Sequence, residues 1–266
     1  MAFRRLLRGQ IDWDRLEAVS RAVAERYDQS VGHVEFLDAN NWLSTPFVLN
    51  DRYFVKVISR QHSLVHALLT TGRNLGAYSS GSEGFFEHFS TPLEMAEHEL
   101  AAARRMRELG INVPRPIEAF EHDGLGVLVM EYLPEFTTLD DAAVAEVRSH
   151  AESLFVWLTE MHEAGFAHGD LRAENVLLSG GELYFIDVTN VDERNIDDAR
   201  AYDVACALAV FEPIIGAADT VRAATTVCDD ETLVTASDFL DFVNIRPDHN
   251  FDVHAVRGEL EKAVSA

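Results

Sequence analysis

The apolar positions change period several times along the chain, and each change marks an element. Leu16, Val19, Val23 and Tyr27 recur every three to four residues, which predicts an amphipathic helix over 13–27. Short apolar runs follow at 34–37, 45–49 and 53–58, and Asn50-Asp51-Arg52 between the last two reads as a hairpin turn. Residues 59–90 carry Gly72, Gly76, Gly81 and Gly84 without a strong period. A segment of that length is uncommon and is usually functional or mobile, although Phe85, Phe86 and Phe89 argue against full disorder. Thr91-Pro92-Leu93-Glu94 is a helix start: Thr91 caps, Pro92 suits the first turn, and Glu94 completes a capping box. That helix runs to Leu109 and stops at Gly110. Strand-like runs flank Asp123-Gly124 and end at 127–131, a helical period covers 141–165, and a hairpin at 176–178 and 183–186 turns at Ser179-Gly180-Gly181. From Asp197 onward the pattern is helical, and no internal repeat is present.

The front of the chain is therefore strands plus one long helix, and the back is mostly helix. This predicts a two-lobed α+β fold joined near 130–134. Its parts are an N-terminal helical extension at 1–30, a β-rich lobe at 31–131 that carries the 59–90 insert, and a mainly helical lobe at 132–266.

Composition adds a surface of unusual charge. There are 45 acidic residues against 22 basic ones, and only Lys56 and Lys262 of those 22 are lysine. Carboxylates hold water, and bulk ions screen their repulsion, so this balance suits a salt-rich cytoplasm. The acidic excess argues against a nucleic-acid partner in dilute buffer. No stretch approaches the roughly 20 apolar residues that span a bilayer, and no apolar run follows the arginines at the N-terminus. A soluble, cytoplasmic protein without a membrane partner is expected. Cys206 and Cys228 form neither a disulfide framework nor a metal spacing, and Cys206 lies in an apolar helical run.

The chemistry concentrates in His168-Gly169-Asp170-Leu171-Arg172-Ala173-Glu174-Asn175. Phosphoryl transfer needs a carboxylate to orient the attacking hydroxyl or water, and oxygen ligands to hold magnesium against the phosphates. Asp170 suits the first task and Asn175 the second. The hairpin after Asn175 returns the chain at Asp187, so those two side chains could share a metal. Lys56 stands inside an apolar strand of a chain that nearly abandons lysine, and a buried ammonium needs a partner. Glu99 shares the apolar helix face with Met95, Ala96, Ala102, Ala103 and Met106, which makes it the expected partner.

Taken in order, Lys56, Glu99, His-Gly-Asp170-x4-Asn175 and Ile-Asp187 resemble the protein-kinase-like superfamily. Within it the chain is most similar to the small atypical RIO kinases and the KEOPS-associated kinase, with aminoglycoside-type phosphotransferases next. The resemblance covers roughly 34–211. It implies a bilobal kinase fold with Mg–ATP between the lobes. Lys56 would hold the α/β-phosphates and pair with Glu99; Met130, Glu131 and Tyr132 would form the hinge that meets the adenine. Asp170 would act as base, Asn175 and Asp187 would bind Mg2+, His168 would pack within the loop, and Asp203 would brace it. The sequence departs from the ordinary pattern in three places. No GxGxxG precedes Lys56, where 38–46 instead offers Ser44 and Thr45 to the phosphates; Asp187-Val188-Thr189 replaces Asp-Phe-Gly; and no Ala-Pro-Glu follows. Arg172 occupies the position where many Ser/Thr kinases place a lysine.

The resemblance implies an atypical RIO-like serine/threonine kinase or ATPase that uses ATP and Mg2+ and acts on an unidentified acceptor. A nucleic-acid or ribosome-assembly partner enters only by family analogy. Two alternatives remain: an aminoglycoside-type small-molecule phosphotransferase, and a nucleotide-sensing scaffold without turnover. The 59–90 insert would serve as a lid, a partner site or an autophosphorylation target at Ser79, Ser80 and Ser82.

Overall fold

The structure is a computed structural model that describes residues 11–37, 44–62, 89–188, 196–246 and 248–265. Most of the 59–90 insert, including Ser79, Ser80 and Ser82, lies outside the described residues, as does 38–43 of the expected phosphate-covering stretch. The fold is α+β, and the chain divides into two compact units.

The first unit holds helix α1 (Trp13–Arg26), strands β1 (Val34–Phe36), β2 (Thr45–Leu49) and β3 (Tyr53–Ile58), helix α2 (Pro92–Glu108), and strands β4 (Pro116–His122) and β5 (Leu125–Glu131). The strands form one sheet in the order β1-β2-β3-β5-β4, with every neighbouring pair antiparallel. Alternation along β3 sorts its side chains onto two faces. Tyr53, Val55 and Val57 join Phe47, Leu49, Val127 and Val129 in a core closed by Leu16, Val19 and Val23 of α1. On the other face Ile58, Leu128 and Met130 pack against Met95, Ala96 and Leu100 of α2. Lys56 falls on this second face, the one α2 covers.

The start of α2 is held closely. The expected capping box forms: Thr91 Oγ1 accepts from Glu94 N at 3.1 Å, and a Glu94 carboxylate oxygen accepts from Thr91 N at 3.2 Å and Ser90 N at 2.7 Å. This first turn sits directly on β5 at Gly126, where a Cβ would lie 2.1 Å from the Pro92 carbonyl oxygen. Only glycine permits that approach. The helix ends one residue before the expected Leu109, ahead of Gly110 at φ +82°.

The second unit contains β6 (Thr137–Thr138), α3 (Val144–Glu163), β7 (Val176–Ser179), β8 (Glu182–Phe185), α4 (Ile196–Ile215), α5 (Ala217–Thr225), α6 (Asp230–Ile245) and α7 (Val253–Val264). Helix α3 starts three residues later than the period predicts, because Thr137 and Thr138 pair with Leu178 and Leu177 of β7 and Asp141 is held in the turn that follows. Helix α4 is apolar almost all round. Ala201 to Phe211 is buried without a break, so α4 forms the axis of this unit, packed by α3, α5 and α6. Burial pushes the Cys206 thiol up to about 12, in keeping with a structural role. Among the described residues no helix is long and apolar enough to cross a membrane.

Candidate active-site residues

In the first unit, strand β3 and helix α2 bring Lys56 and Glu99 together. Lys56 Nζ donates to both Glu99 oxygens, at 3.0 and 2.8 Å, with side-chain exposures of 7% and 13%. The pairing follows from the fold: an ammonium on the covered face of the sheet meets the one carboxylate on the apolar stripe of α2. Pro46 lies opposite Lys56 in the ladder, and Thr45 lies opposite Val57. Alternation therefore places Ser44 on the side of Lys56 and Thr45 on the other side. Ser44 is buried, and its Oγ has no hydrogen-bond partner among the described residues.

Of the three expected hinge residues, Met130 and Glu131 end β5 and Tyr132 follows it. Met130 belongs to the core under α2 and is buried, whereas Glu131 is exposed and paired with Arg115 at 3.0 Å. The N–H of Glu131 donates to the Arg115 carbonyl and that of Tyr132 to the Arg52 carbonyl, each at 2.9 Å. Neither N–H is available to a base, and what these two residues offer is carbonyl oxygen.

In the second unit, Asp203 sets the loop that carries Asp170. It lies fully buried in the middle of α4. Its carboxylate accepts from His168 N at 2.6 Å and Gly169 N at 2.8 Å, and contacts His162 Nε2 at 3.1 Å. His168 is also fully buried and stands edge-on to Phe185 with ring centres 5.3 Å apart. Burial lowers its pKa against the opposing charges of Asp203, Asp170 and Asp187. The loop then closes on itself: Asn175 Nδ2 donates to the Asp170 carbonyl at 2.8 Å. The amide must donate there, so Oδ1 is its acceptor side, with Arg172 Nη2 at 3.5 Å.

The β7–β8 hairpin returns the chain as the sequence requires. Val176 pairs with Phe185, and Ile186 N donates to the Asn175 carbonyl at 3.0 Å, so Asp187 emerges next to Asn175. Asp187 has φ +62°, a left-handed conformation uncommon for any residue but glycine and tolerated by aspartate. Such backbone outliers persist where the surroundings impose them, and they cluster at functional sites.

Sequence reasoning missed the groups that grip Asp170. Arg246, the residue after α6, donates from Nη2 to Asp170 Oδ1 at 2.9 Å, and Arg172 Nη2 lies 3.3 Å from Asp170 Oδ2. Arg246 also holds Asp248 through Nε at 3.0 Å and Tyr202 through Nη1. Arg172 further bonds Glu174 and lies 3.7 Å from Asp248. Its side chain is 20% exposed, so it is not the solvent arginine that position alone allows. Burial opposes the charge on both guanidiniums, and the surrounding groups override it: Asp170 and Glu174 around Arg172, Tyr202, Asp170 and Asp248 around Arg246. The only sign in the sequence was an Arg-Pro-Asp-His run, 246–249, interrupting a helical tail.

Among the described residues no group of three or more His, Cys, Asp or Glu side chains is arranged to hold a metal. One carboxylate and one amide oxygen fit a magnesium ion that arrives on phosphates, because Mg2+ is commonly held by one or two carboxylates plus substrate oxygens.

The RIO domain family matches residues 85–223. The chain is 30% identical over 115 residues to the KEOPS complex subunit Bud32 of Pyrococcus abyssi, covering 42% of this chain and 51% of that protein. It is 34% identical over 97 residues to the RIO-type serine/threonine-protein kinase Rio1 of Haloferax volcanii, covering 34% and 31%. It is 28% identical over 108 residues to the 3-deoxy-D-manno-octulosonic acid kinase of Vibrio vulnificus, covering 38% and 45%. The chain thus spans about half or less of the curated relatives it matches. Among solved structures, the Mycobacterium tuberculosis PknI kinase domain aligns with 86% of this chain and 93% of its own at 14% identity, with a TM-score of 0.42. With its matched stretch holding Glu99, Asp170, Asn175, Asp187 and Asp203, the chain belongs to the protein-kinase-like RIO domain family.

Proposed function

We propose that the chain is a Mg–ATP-dependent phosphotransferase, acting as a RIO-like serine/threonine kinase or ATPase in the cytoplasm. The observation that carries this reading is the Asp170 loop. It sets one carboxylate, one amide oxygen and, across a single backbone hydrogen bond, a second carboxylate at Asp187. Magnesium, when bound, neutralises phosphate charge.

Each residue then has one task. Lys56 presents an ammonium to the α/β-phosphates, and Glu99 keeps it in place. Ser44 Oγ, buried and without a partner among the described residues, is suited to a phosphate oxygen. Thr45 reaches the nucleotide only through its backbone, since its side chain takes the opposite face. Glu131 and Tyr132 offer carbonyls to the adenine amino edge, with Met130 packed beneath. Asn175 Oδ1 and Asp187 hold the metal, and Asp170 receives the proton of the attacking hydroxyl or water. Phosphoryl transfer asks for positioning and charge neutralisation, and these groups supply both.

The acceptor is a protein or a small molecule. The small-molecule reading is favoured by the similarity to a relative named 3-deoxy-D-manno-octulosonic acid kinase. Macromolecular assembly is suggested by the relative named as a KEOPS subunit, and a nucleic-acid or ribosome-assembly partner remains a family analogy.

The test follows labelled γ-phosphate from Mg–ATP in molar salt, a medium chosen for the excess of 45 acidic over 22 basic residues. Asp170→Ala is compared with the parent. Transfer to protein or acceptor, reduced about 10²–10⁴-fold in the variant, establishes a kinase, and free phosphate alone establishes an ATPase. A parent that binds Mg–ATP without turnover, with binding lost in Asp187→Ala, replaces this reading with a nucleotide-sensing scaffold.

A further inference from the structure

Arg246 lies outside the stretch that matches the family and 76 residues from Asp170 in sequence, yet it holds that carboxylate directly. We infer that Arg246 is a positioning residue for phosphoryl transfer: its anchored guanidinium fixes the Asp170 carboxylate so that its remaining lone pairs face the acceptor. The inference rests on the reading of Asp170 as the base.

Three observations carry it. The first is the anchoring. Arg246 donates in three directions, to Asp170, to Asp248 and to the Tyr202 hydroxyl, and its side chain is 8% exposed. A planar fork serves three such partners, whereas a lysine serves them only as a point charge. The second is the common reference. Tyr202 is fully buried on α4, one residue before Asp203. Asp203 fixes the backbone N–H groups of the loop, and Tyr202 through Arg246 fixes the carboxylate, so both halves of the base's geometry are measured from one rigid helix. The third is competition. Arg172 lies 3.3 Å from the other Asp170 oxygen. Without Arg246 the pull of Arg172 on Oδ2 loses its counterweight on Oδ1, and the carboxylate turns toward Arg172.

A blocking contact would look different. An arm that must lift away for catalysis would be exposed and lightly held, and Arg246 is neither.

The experiment compares the full chain with Arg246→Gln, Arg246→Lys and Tyr202→Phe. It measures Mg–ATP turnover, nucleotide affinity and thermal midpoint, and includes a crystal structure of Arg246→Gln. The expected result is a fall in kcat of about 10–100-fold in Arg246→Gln, the scale of a misplacement of about 1 Å. Arg246→Lys should recover part of it, and KM for ATP should stay within about twofold. Asp170 should be seen turned toward Arg172. If Arg246→Gln does not fold, Tyr202→Phe removes only the anchoring hydroxyl and should show a smaller fall in kcat at unchanged KM. A kcat that is unchanged or raised overturns the inference, as does a loss confined to KM. A parent without turnover sinks the phosphotransferase reading itself. In that case Asp170 keeping its place in the Arg246→Gln structure still refutes the positioning role, and Asp170 turning toward Arg172 supports it.

Discussion

Lys56 and Asp170 are both ionisable side chains in nearly closed positions, exposed 7% and 5% respectively, yet they are held in opposite ways. Lys56 meets Glu99 across an apolar face, where packing of the sheet against α2 brings the two together. Asp170 sits in a mesh of two arginines, with Asp248, Glu174 and Tyr202 behind them and Asp203 under the backbone. The first contact is positioned by packing of a helix on a sheet, and the second belongs to a network of hydrogen bonds. A pair fails when one member goes; a network shares the loss among those that remain.

The largest effect that separates the two is expected at the pair. Glu99→Ala leaves a buried ammonium without its carboxylate and should cost about 3–5 kcal/mol in denaturant unfolding. Lys56→Met together with Glu99→Leu should recover most of that, because an apolar pair fits the face that Met95, Ala96 and Leu100 already line. A double variant as unstable as Glu99→Ala would show that the pair is not held by packing alone.

Asp203→Ala tests the network. It strips two buried backbone N–H groups and the His162 ring of an acceptor, at about 1–3 kcal/mol for each unmade bond. Sharing among neighbours should bring the total below the simple sum. Asp203→Asn, which keeps one acceptor oxygen, should lose less. Equal losses in the two variants would mean that charge, and not hydrogen bonding, holds the loop.

The smallest effect is a slope with pH. Burial and the Arg246 charge pull the His249 pKa down to about 4, against the opposing carboxylates of Asp248 and Asp170. Between about 6.5 and about 4 the folded chain keeps this ring neutral while the unfolded chain protonates it. Stability is therefore lost as pH falls through that window, by at most about 1.4 kcal/mol per pH unit for one group. His168, lowered by burial, acts in the same direction. Unfolding midpoints measured from pH 7 to 5 should fall, and His249→Gln should flatten the slope. A slope unchanged in that variant removes His249 from the account.

The same contrast explains what could be read without coordinates. Lys56 was legible because a lysine inside an apolar strand is a local anomaly, and Glu99 because helical spacing puts it on the covered stripe. Asp170, Asn175 and Asp187 were legible because one short loop and one hairpin fix their separation. Arg246 and Tyr202 were not, since their meeting with Asp170 depends on how α4 and α6 pack, and helical period carries no information about which side chains meet across two helices. The late start of α3 escaped for a related reason: the pairing of Thr137–Thr138 with β7 is a tertiary choice that overrode the local period.

Gly126 carries a final consequence. The first turn of α2 rests on the bare α-carbon of this residue, 2.1 Å from where a methyl group would stand. That contact sets how far along the sheet the helix lies, and hence whether Glu99, two turns further on, arrives opposite Lys56. Gly126→Ala would leave every ionisable group of the chain in place and slide one of them out of alignment. The Lys56–Glu99 contact is thus calibrated by an absence: a single missing carbon, in a residue that carries no ionisable group, works as the stop against which the helix is gauged.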